Sequence, residues 1–326
     1  MKNIQKRLKY CRTRSLRHNA MYGIVDIGSN TIRLSVYKVR GNGFKAMFNK
    51  KSMAGLVGYV DETGNMSEKG IAKAVSVLND FRKILDNIDV KEVYMFATAA
   101  LRNINNSGYA MHEICHLTGF DIELVSGEQE AVYDYIGATH HMHVPNKGIV
   151  LDIGGGSTEL VFYSDSEIKK SVSFPLGSLN CYSMYVEKFL PSKAEIKKIR
   201  TVVKEELNSI NAPEDYYQTV CGIGGTIRAA SKLNNDFFSM QPSNRQIEVA
   251  NVKTILKILC DGNRETIHKI LKIVPDRIHT IIPGMTILKA ITKYFNTESI
   301  MVSEYGLREG YLYQKLVSNG IISEKT

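Results

Sequence analysis

No apolar run in the 326 residues approaches the roughly 18 that a membrane-spanning helix needs. Cysteine is sparse. Cys11, Cys115, Cys181, Cys221 and Cys260 are scattered, odd in number and form no C-x-x-C pair. That pattern weighs against a disulfide framework and a structural zinc site, and it suits a reducing, cytoplasmic setting. No segment is of low complexity. Residues 1–20 contain no acidic side chain, but they carry Lys2, Lys6, Arg7, Lys9, Arg12, Arg14 and Arg17. The net charge of +9 therefore belongs mainly to this segment, and about +2 is left for the rest. The segment also lacks the apolar stretch of a secretory signal. It is read as a disordered extension whose charge would suit RNA, membrane phosphates or a polyanionic substrate. Met21 leads straight into the apolar run Tyr22-Gly23-Ile24-Val25, so a translation start at Met21 is a further expectation.

The composition of the whole chain, 44% hydrophobic and 23% charged, is that of a globular protein, and the length suits two domains. Tyr22–Asp26 reads as a buried strand running into the polar turn Gly28-Ser29-Asn30. Ile32, Leu34, Val36 and Val39 continue as a second strand, and Gly41-Asn42-Gly43 marks a hairpin. Apolar positions from Ile71 to Leu85 recur at helical spacing, with Ser67 as the N-cap. Val93–Ala97 reads as a strand, residues 107–118 as a helix stopped by Gly119, and Ile122–Val125 as another strand. Residues 191–295 read as mostly helical, interrupted by a strand and glycine turn at Val220–Thr226.

A repeat overlies this pattern. The stretch Asp26-Ile27-Gly28-Ser29-Asn30-Thr31-Ile32-Arg33-Leu34 is matched by Asp152-Ile153-Gly154-Gly155-Gly156-Ser157-Thr158-Glu159-Leu160, 126 positions later. A repeat of domain length means two similar halves. A strand ending in Asp can hold Mg²⁺ directly or through water. The glycines let backbone N–H groups reach phosphate oxygens, and Ser or Thr hydroxyls add donors. One such turn is weak evidence, whereas two at domain spacing point to a phosphate clamp. A third turn, Gly222-Ile223-Gly224-Gly225-Thr226, precedes a helix, whose N-terminus is suited to an anion.

The ordered motifs DIGSNTIRL, ATAALR, SGEQEA, DIGGGSTEL, GIGGT and YGLREG resemble the exopolyphosphatase / guanosine pentaphosphate phosphatase family, Ppx/GppA, over residues 21–320. The resemblance implies an α/β fold of two actin-like (ribonuclease H-like) ATPase-superfold lobes with a central cleft. Lobe I would take residues 21–130 with a returning helix in 304–326, and lobe II residues 131–303. It implies terminal phosphate release from polyphosphate or guanosine pentaphosphate, Mg²⁺ as cofactor and a frequent homodimeric state, without membrane or nucleic-acid partners for the body of the chain. By the matching positions, Glu130 is the general base, with Glu128 its alternative, and Arg102 grips phosphate. Asp152 and Glu159 are the Mg²⁺ carboxylates. Ser29, Asn30, Thr31, Arg33, Gly154, Gly155, Gly156, Ser157, Gly224, Gly225 and Thr226 line the phosphate path. Val132 stands where the family often has arginine, Gly55-Leu56-Val57-Gly58 replaces an Arg-Leu-Gly stretch, and Gln129 replaces a frequent glutamate. The first two departures weigh against tight binding of long polyphosphate.

Two rivals remain at this point: an ATP-dependent kinase or ATPase of the same superfold, and a non-catalytic polyphosphate or alarmone sensor. SGEQEA and ATAALR favour the phosphatase branch over the first, and retention of Glu130, Asp152 and Glu159 argues against the second. His112-Glu113-Ile114-Cys115-His116 fits the zinc-protease pattern H-E-x-x-H but lacks a third ligand at useful spacing, and reads as a packing helix. His140-His141-Met142-His143 reads as a surface loop before Pro145.

Overall fold

The computed structural model describes residues 20–141, 144–212 and 217–323. The basic segment read as a disordered extension lies outside the described residues apart from Ala20, as do Met142 and His143. The chain forms two compact units, one running to Val125 and resuming at Tyr311, the other spanning Ser126–Gly310.

The first unit holds β1 (Met21–Ile27), β2 (Thr31–Arg40), β3 (Gly43–Met53), α1 (Glu68–Leu85), β4 (Val90–Ala97), α2 (Ala99–Arg102), α3 (Ser107–Thr118) and β5 (Glu123–Leu124). Its sheet runs β3-β2-β1-β4-β5. β1, β2 and β3 form an antiparallel meander, and β4 lies parallel to β1. Ile24, Val25 and Ile27 are fully buried, which is why this short run is strand rather than surface loop. On α1, Ile71, Ala74, Leu78, Phe81 and Leu85 form one buried face at the 3.6-residue period. Ser67 is its N-cap by backbone position but makes no side-chain cap bond. Gly119 ends α3 in the left-handed region, with its N–H on the Cys115 carbonyl.

The second unit holds α4 (Gly127–His141), β6 (Lys147–Ile153), β7 (Thr158–Ser164), β8 (Glu167–Phe174), α5 (Ser178–Tyr185), α6 (Lys193–Ser209), β9 (Thr219–Ile223), α7 (Gly224–Phe237), β10 (Gln246–Glu248), α8 (Val249–Leu259), α9 (Arg264–Ile273), α10 (Ile281–Tyr294) and β11 (Ser299–Val302). Its sheet runs β10-β11-β9-β6-β7-β8. Here β6, β7 and β8 are the antiparallel meander and β9 lies parallel to β6. The sequence repeat is thus a repeat of topology. β10 and β11 fall in or just after a stretch that reads as helical from sequence. With three and four residues they are too short for alternation to register. α4 begins at Gly127, so Glu130 belongs with the second unit. α4 also continues through His141, which places His140 and His141 at a helix end rather than in a loop.

α11 (Leu307–Ser318) starts in the second unit and ends in the first. In the first unit, Tyr311 and Lys315 both donate to Glu123 Oε2, at 2.8 and 2.7 Å. In the second, Gly306 and Gly310 lie so close to α4 that a Cβ on Gly310 would strike the Tyr133 carbonyl, and one on Gly137 the Gly306 backbone. No described helix is long and apolar enough to cross a membrane.

Candidate active site

The two strand-turn-strand copies differ in one decisive pair. In the first sheet the β1–β2 register sets Asp26 opposite Arg33. In the second, the β6–β7 register sets Asp152 opposite Glu159. Directly opposed residues share a sheet face, so the first copy pairs opposite charges and the second pairs two carboxylates. Glu159 is buried and accepts from Ser173 Oγ at 2.9 Å. Burial, then the charges of Glu130 and Asp152, raise its carboxyl well above the usual range, against the hydrogen bonds of Ser157 and Ser173.

α4 adds two more acids to this cluster. Glu130 lies in its first turn and is buried, whereas Glu128 faces solvent. Asp134 follows one turn after Glu130 and is 1% exposed. Neither Asp134 oxygen has a hydrogen-bond partner of normal geometry. Burial, then Asp152, Glu130 and Glu159, raise its carboxyl well above the usual range. The Leu307 backbone N–H, at the start of α11, draws it down.

The third glycine turn closes on this cluster from β9. Gly224 begins α7 with φ +76°, and a Cβ there would collide with the Asp152 carboxylate. That is the close approach for which only glycine serves. A Cβ on Gly225 would meet the Arg277 guanidinium, whose Nη1 donates to Thr226 Oγ1 at 3.3 Å. Burial and then the charge of Arg228 hold Arg277 below its ordinary value, opposed by Asp152 and Asp276. Thr226 itself is buried against Gly284 of α10, so it positions the turn rather than opening onto it.

Both phosphate-loop candidates turn their carbonyls into their own unit. In the second, Gly155 O accepts from Leu179 and Asn180 N–H, and Gly154 O from Ser178 N–H and Oγ. Gly154 N–H is spent on Ser157 O, at 2.9 Å. The N–H groups of Gly155 and Gly156 have no protein acceptor among the described residues, and a peptide plane points its N–H away from its C=O. Ser157 is buried and hydrogen-bonds Glu159. In the first loop, Asn30 O accepts from Ala54 and Gly55, and Ser29 O from Val57. The Ser29 and Asn30 N–H groups likewise have no acceptor among the described residues. Thr31 O closes the turn on Gly28 N–H. Arg102 ends the short α2, with Nη1 on Val125 O at 3.0 Å and Nε on Asn103 Oδ1 at 3.3 Å.

Residues 35–319 match the model of the Ppx/GppA phosphatase family. The chain belongs to the Ppx/GppA phosphatase family. A curated protein of Haemophilus influenzae, provisionally named an exopolyphosphatase, is 23% identical over 293 residues, covering 89% of each chain. The crystal structure of the Aquifex aeolicus Ppx/GppA family member superposes with a TM-score of 0.75 at 25% identity, covering 92% of this chain and 98% of that one. An exopolyphosphatase from Cytophaga hutchinsonii reaches a TM-score of 0.80 at 21% identity, covering 93% and 100%. The fold is therefore the actin-like two-lobe fold of this family.

In this Ppx/GppA chain the donor chemistry fits Mg²⁺. Asp152, half-buried, and Glu159, buried, are opposed carboxylates whose mutual repulsion a proton or a cation would relieve. Among the described residues no group of three or more His, Cys, Asp or Glu is arranged to hold a metal. Mg²⁺ does not need one, since it commonly takes one or two carboxylates and completes its shell with water and substrate phosphates. The H-E-x-x-H pair lies elsewhere, on the exposed face of α3. There His112 meets Glu113 at 3.2 Å and stacks on His116. Buried Cys181 and Cys221 have thiols pushed up to about 12 by burial, which makes them poor nucleophiles.

Two residues escaped the sequence reading. Asp134 carried a legible signal: an acid four residues after Glu130 shares its helix face, where like charges repel. Arg277 carried none, because it lies 51 positions from Thr226 and only tertiary folding joins them.

Proposed function

We propose that this protein is a phosphohydrolase that releases the terminal phosphate of inorganic polyphosphate, guanosine pentaphosphate or both. The observation that carries the reading is the contrast between the two copies: Asp26 faces Arg33, while Asp152 faces Glu159. A carboxylate pair attracts a cation, and the copy with an arginine on its second strand suits an anion. Asp152 and Glu159 would hold Mg²⁺, which when bound neutralises phosphate charge. The N–H groups of Gly155 and Gly156, with those of Ser29 and Asn30, would donate to phosphate oxygens. Arg33 and Arg102 would offset charge on the transferring group. Thr31, Ser157, Gly154, Gly224, Gly225 and Thr226 would hold the turns in shape around the phosphates. Glu130 is the proposed general base, since it is buried within the acid cluster whereas Glu128 is solvated. The names of the Haemophilus and Cytophaga relatives support the substrate class.

The test is phosphate release by purified protein with Mg²⁺ on short polyphosphate, long polyphosphate and guanosine pentaphosphate. Glu130→Gln should lower release at least about a hundredfold, the scale of general-base catalysis. Undiminished release in that variant removes Glu130 from its role. Phosphorylation of a small molecule by ATP, with no release from any of the three substrates, would replace the hydrolase by a kinase.

A further inference from the structure

A second cationic feature lies in the same unit as the acid cluster but away from it. Helices α6, α8 and α10 border a cavity of about 960 Å³ lined by Arg200, Lys204, Lys253, Lys289 and Lys293, with Tyr294 and Thr297. No acidic residue lines it. None of the five cations makes an ion pair among the described residues. None has Asp or Glu three or four positions away on its helix: Arg200 is followed at that spacing by Lys204, and Lys289 by Lys293. A merely solvated helix face usually intersperses charges of both signs, and like charges at this spacing are unfavourable. The helix dipole accounts for Lys293 in the last turn of α10, but not for Arg200, Lys204 and Lys253 in the middle of theirs. Lys289 is half-buried. Burial, then the charges of Arg200, Lys253 and Lys293, hold its ammonium below the ordinary value. The buried Thr297 hydroxyl has no protein partner.

We propose that this basin is a binding site for an oligophosphate chain, separate from the glycine loops. A single phosphate would engage only part of the ring of cations. A chain of several phosphates can meet donors on all three helices at once. A concave basin, rather than an open stripe, favours a compact ligand over a long polyanion. The site does not depend on the catalytic reading. Gly284 packs on Thr226 at the other end of α10. Lys289 and Lys293 lie roughly 8 and 14 Å further along that helix at its rise per residue.

The chain has no tryptophan, so Tyr294→Trp installs a single indole reporter at the rim. The full-length protein is titrated in EDTA with inorganic tripolyphosphate, with guanosine triphosphate, and with sulfate at matched ionic strength. A saturable emission change is expected with tripolyphosphate. It should weaken at least tenfold in a Lys253→Met/Lys289→Met background and stay unmoved by Arg102→Met. Calorimetry on the protein with Tyr294 intact should lose one binding event in the same lysine variant. Tighter binding of guanosine triphosphate would mark a nucleoside polyphosphate as the occupant, and tighter binding of tripolyphosphate an inorganic chain. An unsaturable response, an equal response to sulfate, or equal binding by the lysine variant overturns the proposal.

Discussion

Asp134 is buried beside three acids of its own sign, Asp152, Glu130 and Glu159. Its folded-state pKa and that of Glu159 are both raised above their unfolded values. The sign follows directly. Each group's favourable contribution is complete below about pH 4, where unfolded carboxyls protonate, and it is lost as pH climbs toward the raised value. Asp134→Asn keeps the shape without the charge, so its thermal midpoint in EDTA should fall less than that of the native protein between pH 4 and pH 8. Parallel curves for the two proteins would remove Asp134 from this role. Mg²⁺ should raise the native midpoint more at pH 8 than at pH 5, because protons compete for Glu159, and Glu159→Gln should shrink that gain. Glu130, Asp152 and Glu159 were legible in the motifs. The burial that separates Glu130 from Glu128 was not, because it is a property of the folded α4.

At the scale of elements, two close approaches are built from glycine. Gly224 combines a left-handed φ with the Asp152 carboxylate beside it, and the backbone alone disfavours alanine there by about 1–2 kcal/mol. Gly224→Ala should therefore lose both urea stability and phosphate release. Gly137→Ala drives a methyl into the Gly306 backbone and should cost about 1–3 kcal/mol, the usual scale of overpacking. Gly58→Ala meets open space and should stay within about 0.5 kcal/mol. Equal urea midpoints for Gly137→Ala and Gly58→Ala would contradict the packing described for α4 and α11. The long amphipathic elements, α1 and α3 above all, were readable because one buried face repeats over several turns. β5 shrank to Glu123–Leu124, and β10 and β11 went unread. Strands this short exist only because a neighbouring strand offers them a ladder.

For the whole molecule, the missing basic residues at Val132 and Gly55–Gly58 bear on substrate length. With fewer cations to track a polymer, kcat/KM should be higher on short polyphosphate or guanosine pentaphosphate than on long chains, and the salt dependence on long chains should be shallow. A clear preference for long chains would show that other cations supply the track. By itself the sequence determined that two related halves exist, each with a glycine-bearing strand-turn-strand, because a repeated Asp-Ile-Gly pattern survives in local order. It also determined which residue types each loop offers. The local β6–β7 register sets Asp152 and Glu159 face to face across one turn. Only folding brought Asp134 to the same cluster and set Arg277 over the third turn. The physical reason is that charge repulsion, burial and glycine-deep contact depend on distances between segments far apart in the chain.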